Sequence, residues 1–327
     1  MRCSISLAST TTFQNLSVPN RLAGSFFPGD GFRDQFLYKL PRESVPFATN
    51  AFQFNRVNGN LPSVPFVARG ATMSLPATNV TLQSVSFERV GAWLEADTYD
   101  TISGRQADNL LIQAQGVALG ILRTLSSKLI IGTTTPDIVG LQSLSQFHTI
   151  GAANNALNGG FMTLRDIDKS IYLCAPTEGS VGKGAATYAL CNPKTLRELF
   201  GLMDTQSRSQ SACWEEDSDL GVKIPNVRGL NWLFSDSLPL NETKGTGTNL
   251  TSIYFFKLGG PTGLKLLYGR DPNIKQVDEF GIHQYSIAIN RAQNRKGLAV
   301  EAFYALFAPE RATVSRLDGI NPTQFAI

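Results

Sequence analysis

Several short segments of this chain have residue types that could do chemistry. Gly179-Ser180-Val181-Gly182-Lys183-Gly184 looks like a phosphate loop. That loop needs a glycine, four residues, then Gly-Lys and a hydroxyl residue that binds Mg²⁺. Here Thr177 stands at the first position and Gly184 replaces the hydroxyl, so the segment reads as an ordinary loop. Any Ser-His-Asp or Cys-His centre must use His148 or His283, the two histidines of the chain. His148 falls in a polar connector. His283 alternates with Tyr285 and Ile287, the pattern of a histidine packed or hydrogen-bonded in a strand. Glu215-Glu216-Asp217-Ser218-Asp219 gathers carboxylates but lacks the glycine and terminal Glu of a calcium loop, and reads as a solvated loop. Arg291, Arg295 and Lys296 form a small basic patch that suits nucleic acid, an acidic neighbour or plain solvent. Cys3, Cys174, Cys191 and Cys213 are scattered, with no C-x-x-C pair, so no structural zinc site is expected and the thiols read as reduced. G-x-S-x-G and H-E-x-x-H are both missing. No catalytic, cofactor or metal residue is assigned; the rival reading is a small oligomeric α+β enzyme built around Lys183 or His283.

Composition narrows the class further. The chain has 327 residues, 42% hydrophobic and 17% charged, with a net charge of +3. That charge content lies below the ~25% of an ordinary soluble domain. The apolar fraction excludes disorder as the main state. A charge of +3 is no electrostatic footprint for reading DNA. A surface poor in charge is expected where partners cover it. No stretch approaches the ~20 apolar residues of a membrane span. Residues 1–13 lack the apolar core of a signal peptide.

The elements that must hold these residues come in an unusual order. Residues 1–41 read as an extended arm with at most a short helix near Asn20–Phe26. Between Ser44 and Leu94 the charged residues are Arg56, Arg69, Glu88 and Arg89. Two strand-like runs, Phe47–Ala68 and Asn79–Ala96, predict a long hairpin of up to ~65 Å at ~3.3 Å per residue. Its second run alternates at Val85, Phe87, Arg89, Gly91 and Trp93. Trp93, Trp214 and Trp232 read as core or interface anchors. An isolated two-stranded ribbon is marginal in water, so this one is expected to lean on another subunit. Residues 104–132 predict a long helix, with Leu111, Ala114, Ala118, Ile121 and Leu125 on one face and Gly132 at its end. Gly116 and Gly120 inside it each cost ~1 kcal/mol relative to Ala, tolerable if something packs closely there. Short helices and strands follow: a helix over Thr163–Leu173, a strand at Thr187–Cys191, a helix opening at Pro193, strands at Asn231–Phe234, Ser252–Lys257, Leu264–Tyr268, His283–Arg291 and Leu298–Phe307, and a last helix Pro309–Leu317. The class is α+β, and no internal repeat shows.

This order resembles the major capsid proteins of tailed bacteriophages, the Hong Kong 97-type capsid fold shared with encapsulin shells. The carriers are Ser86-Phe87-Glu88-Arg89-Val90 through Asp97 into the long helix, then Asp137-Ile138-Val139-Gly140-Leu141. Tyr188-Ala189-Leu190-Cys191-Asn192-Pro193 running into Leu196–Leu199 is the second, and Gly297–Val300 through Ala308-Pro309 to Leu317–Ile320 the third. The resemblance implies an N-terminal arm (1–41), an extended loop (42–96), a peripheral domain (97–162 and 281–300) with a spine helix (105–131), and an axial domain (163–280 and 301–327).

It further implies a virion structural protein, assembled in the host cytoplasm into hexamers and pentamers around packaged double-stranded DNA. Its partners would be itself, a portal protein, a separate scaffolding protein and a cement or decoration protein; the alternative is an encapsulin-like compartment shell. No membrane, cofactor or metal enters. Some relatives weld neighbours through a Lys on the extended loop; no Lys lies between Lys39 and Lys128 here, so packing and charged contacts at Arg56, Arg69, Glu88 and Arg89 are expected to join subunits instead. No charged helical segment precedes the arm, hence the expectation of a separate scaffold.

Overall fold

The computed structural model describes residues 34–46, 51–57, 80–97, 106–133, 137–146, 148–174, 186–206, 213–217, 222–260, 263–270, 280–290, 295–309 and 313–323. The short helix near residues 20–26, Arg69, the 179–184 loop and Arg291 lie outside them. The chain divides into two compact units. One gathers the described parts of Met1–Asn50, Phe87–Ser143 and Lys265–Leu306; the other those of Ala51–Ser86, Leu144–Leu264 and Phe307–Ile327.

The first unit is organised by one long helix. Helix α1 (Gln35–Lys39) is capped by Asp34, whose carboxylate accepts from the Phe36 and Leu37 amides at 2.9 and 3.2 Å. The same carboxylate accepts from Ser126 Oγ on helix α2 (Gln106–Ile131), pinning the short helix to the long one. At 1.5 Å per residue α2 is a ~39 Å rod. Ala114, Ala118, Ile121, Leu122, Leu125 and Leu129 are buried along it, the stripe read from the sequence. Gly132 ends it, with its amide bonded to Lys128 O at 2.9 Å. Gly116 and Gly120 are tolerated inside it without close packing: among the described residues nothing lies within 4 Å of the place a Cβ would take at either.

Around α2 runs a mixed five-stranded sheet. Strand β1 (Arg42–Pro46) pairs in parallel with β12 (Lys265–Arg270). Strand β14 (Arg295–Phe307) pairs with β12, with β13 (His283–Asn290) and with β4 (Glu88–Asp97). Val300, Ala302 and Tyr304 of β14 are fully buried, and α2 packs on β4. The Arg42 guanidinium sits 4.3 Å from the Phe280 ring centroid, a cation–π contact that helps seat β1.

The second unit is an eight-stranded sheet with order β5-β15-β11-β6-β9-β8-β7 and β10 beside β11. Here β5 is Thr149–Gly151, β6 Tyr188–Cys191, β7 Cys213–Asp217, β8 Val222–Val227, β9 Leu230–Phe234, β10 Glu242–Lys244, β11 Gly247–Phe256 and β15 Val314–Ile320. Helices α4 (Leu164–Leu173) and α5 (Pro193–Gln206) cover one face, following the four-residue helix α3 (Leu141–Leu144) of the chain order. Ile167, Leu199, Trp232, Ile253, Phe255, Leu317 and Ile320 share one buried cluster with them. Both helix starts were legible. Thr163 and Asp166 form a reciprocal capping box at α4. Asn192 accepts from the Lys194 amide at 3.0 Å ahead of Pro193, the residue best suited to a first helical position.

Three sequence expectations need correction. Where a last helix, Pro309–Leu317, is expected, the described residues Val314–Ile320 form strand β15, inserted between β11 and β5. Its pairing shifts register, so that Ile253 faces Leu317 while Thr251 faces Ile320. The extra residue is a bulge, and Gly319 within it has φ +70°, where glycine carries no steric cost. Glu215, Glu216 and Asp217 are not in a loop but in β7. The second run of the hairpin is not one strand: among the described residues β2 (Ala51–Val57) pairs with β3 (Val80–Ser86), and the run breaks at buried Phe87. Beyond it, β4 pairs with β14, not with the first run.

Candidate assembly surface

Strand alternation decides what β4 shows to solvent. Arg89, Gly91 and Trp93 fall on one exposed row, and Trp93 is 55% exposed. Across the ladder they meet Phe303, Glu301 and Ala299. Arg89 forms an ion pair with Glu301; the Arg89 side chain stays 66% exposed while that of Glu301 is 12% exposed. A Cβ at Gly91 would come 2.6 Å from Val300 O and 2.7 Å from Glu301 Cβ, so only glycine fits. The Trp93 indole lies across Gly297, 2.9 Å from the position a Cβ would take there. Gly91 lines a shallow recess of roughly 220 Å³, walled by Arg89, Trp93, Ala299 and Glu301. It is smaller than the ~300 Å³ at which small-molecule pockets begin. It offers one ion pair and one aromatic face, a place for a side chain rather than for a reaction.

The β2–β3 hairpin has two unlike faces. Phe52 and Phe54 pack edge-on against Phe307, with ring centroids 5.5 and 4.8 Å away. Val85 stands opposite Phe52 on that face and is half-buried. The other face carries Gln53, Asn55, Leu82, Ser84 and Ser86, all exposed and none charged. Leu82 is 64% exposed. Of the residues expected to join subunits, Glu88 and Arg89 open β4, Arg56 lies on β2 opposite Thr81, and Arg69 lies outside the described residues. The sequence did not single out Leu82, because an exposed leucine looks like a core leucine until its strand is paired.

The residues tested for chemistry do not converge. His283 is 1% exposed, with Nε2 2.9 Å from Gly269 O on β12. His148 belongs to the second unit, where its carbonyl accepts from the Arg316 amide at 2.9 Å. Cys174 Sγ donates to Phe255 O at 3.0 Å and lies 3.1 Å from Ser315 Oγ, and burial pushes its thiol up to about 12. Burial alone pushes Cys191 up as well. Such thiols are poor nucleophiles and poor ligands. Trp232 is fully buried, its indole donating to Val227 O at 3.2 Å. Among the described residues no group of three His, Cys, Asp or Glu could hold a metal ion. Among them, too, no helix is long and apolar enough to cross a membrane.

One polar cluster escaped the sequence altogether. Glu242 Oε2 accepts from Ser252 Oγ at 2.5 Å and from the Arg316 guanidinium at 3.0 Å. Arg316 Nε also donates to Ser252 Oγ at 2.9 Å. Lys244 and Asp318 pair at 2.6 Å on the same strands, β10 and β15. The partners lie 74 residues apart in the chain, so no spacing rule links them.

No family model matches the sequence, and no curated protein matches it. Solved structures do. The encapsulin of the holo-SrpI complex from Synechococcus elongatus PCC 7942 matches at a TM-score of 0.64 and 16% identity, over 90% of each chain. The capsid of the empty GTA particle matches at 0.57 and 12%, over 88% of this chain and 90% of that one. A protein of Microbacterium phage Oxtober96 matches at 0.54 and 13%, over 85% and 88%. Identities this low carry fold and nothing finer. With near-complete coverage in both directions, the chain has the Hong Kong 97-type fold found in phage capsids and encapsulin.

Proposed function

We propose that this chain is the major capsid protein of a tailed double-stranded-DNA phage. It assembles with itself into the hexamers and pentamers of an icosahedral head. The observation that carries the reading is the fold match over about nine-tenths of the chain, to capsid and encapsulin alike. The bare, uncharged face of the hairpin supports it, because a monomer's surface is normally interspersed with charge. In this reading residues 1–41 are the arm and 42–96 the extended loop. Residues 97–162 and 281–300 are the peripheral domain on the spine helix 105–131, and 163–280 with 301–327 are the axial domain. Arg56, Arg69, Glu88 and Arg89 make charged contacts between subunits. A portal, a separate scaffold and a cement protein are its partners, and packaged DNA lies against the inner face without sequence preference. The protein resides in the virion after assembly in the host cytoplasm, and its role is structural rather than enzymatic.

The encapsulin likeness carries a second reading, a compartment shell that encloses protein cargo. Negative-stain electron microscopy of the purified protein, alone and with a candidate scaffold, tests both. Closed shells, tubes or hexamer sheets are expected. Small discrete oligomers under both conditions would overturn the shell reading and return attention to Lys183 and His283. Shells loaded with host protein rather than DNA would favour the compartment.

A further inference from the structure

We propose that the Trp93 recess receives Leu82 from the β2–β3 hairpin of a second copy of this chain. The inference rests on the shell reading and names one contact within it. Trp93 and Leu82 are large apolar side chains that the subunit leaves 55% and 64% exposed. Leu82 is the large apolar residue that an otherwise polar, uncharged hairpin face leaves exposed. The recess is sized for one apolar side chain and is prearranged. Gly91 brings no side chain to it, and the indole is held in place across Gly297.

The surroundings match as well. Leu82 stands directly opposite Asn55, and Ser84 opposite Gln53. These neutral amides and hydroxyls ring the leucine. The recess is rimmed by Arg89 and Glu301, which can donate to and accept from such groups. An apolar centre inside a polar rim is the usual anatomy of a protein contact, with tryptophan the typical anchor. The two patches differ, so the contact is heterologous. Repeated from copy to copy it closes into rings or extends into a lattice, as a shell needs.

The test is cross-linking between copies. Two differently tagged chains, one Leu82→Cys and one Trp93→Cys, are co-expressed in a Cys3→Ser, Cys213→Ser background and treated with a short bismaleimide. A mixed pair forms only between copies. A mixed-tag dimer is expected in the assembled fraction, and none in the unassembled fraction or when Leu157→Cys replaces Leu82→Cys. Shells without that dimer would overturn the contact while leaving the shell reading intact. Absence of large assemblies from the unaltered chain, both alone and with the candidate scaffold, overturns the shell reading, and the contact with it. Fluorescence gives a reading free of cysteines. The emission lost in Trp93→Phe should shift to shorter wavelength on assembly, and an unshifted difference spectrum overturns burial of Trp93.

Discussion

Arg89 and Arg316 each meet a glutamate in a β-sheet, one in each unit, under opposite conditions. The side chains of Arg316 and Glu242 are 15% and 13% exposed, with Ser252 completing the triangle and the Tyr254 ring centroid 5.7 Å away. Arg89 reaches its partner from solvent, 66% exposed. The enclosed pair is part of what holds β10, β11 and β15 together. Neither charge could be left alone there, because the desolvation it has suffered is offset only by its partner. The other pair is open at its arginine end only: on the rim of a recess, water screens the Arg89 guanidinium and a neighbouring molecule can reach it, while Glu301 is as enclosed as Glu242. Similar residue types therefore serve cohesion in one unit and remain available for contact in the other.

The largest effect should come from breaking the enclosed pair. Glu242→Ala leaves Arg316 surrounded by protein, and a loss of about 3–5 kcal/mol in urea unfolding is expected. A loss under about 1 kcal/mol would mean that the enclosed pair behaves as a surface pair and the contrast is empty.

A smaller effect comes from alkali. Burial raises Cys174, Cys191 and Tyr254 above their ordinary values, Tyr254 against the pull of Arg316. A group raised on folding gives up protons more readily when unfolded. Its contribution is complete below its unfolded value, near 9 for the thiols, and is lost as pH climbs towards the folded one, about 12 for Cys174. The Cys174 thiol by itself should leave stability flat from pH 7 to 8.5 and lower it by about 2 kcal/mol by pH 10.5, with Cys191 and Tyr254 acting in the same direction. Urea midpoints across that range check this, and an unchanged midpoint at pH 10.5 contradicts it.

The smallest effect is expected from Arg89→Ala. Subunit stability should drop by about 1 kcal/mol or less, while the concentration needed for assembly rises. Sedimentation separates the two readouts. A loss of stability as large as that of Glu242→Ala would place both arginines in the same class.

Local chemistry made much of the scaffold legible. The apolar stripe of α2 placed it at 104–132, against Gln106–Ile131 observed. Asn192-Pro193 and Thr163 announced α5 and α4, since a cap acts within three residues. Sequence likewise excluded a phosphate loop and a histidine-rich centre, because residues that are missing cannot be supplied by folding. Pairing was a different matter. Alternation through Val85, Phe87, Arg89, Gly91 and Trp93 correctly announced strands, yet it says nothing about partners. The break at Phe87 gives β3 to the hairpin and β4 to a strand more than 200 residues away. Val314, Leu317 and Ile320 recur every three residues and imitate a helix. The bulge at Gly319 puts Leu317 and Ile320 into one core from a strand. The uncharged hairpin, the long helix and the order of elements were thus properties of the sequence itself. The Trp93 recess, the bare Leu82 and the Glu242–Arg316 pair were decided only by tertiary structure. Each depends on which distant strands lie side by side, and strand pairing is set by the whole sheet rather than by neighbours in the chain.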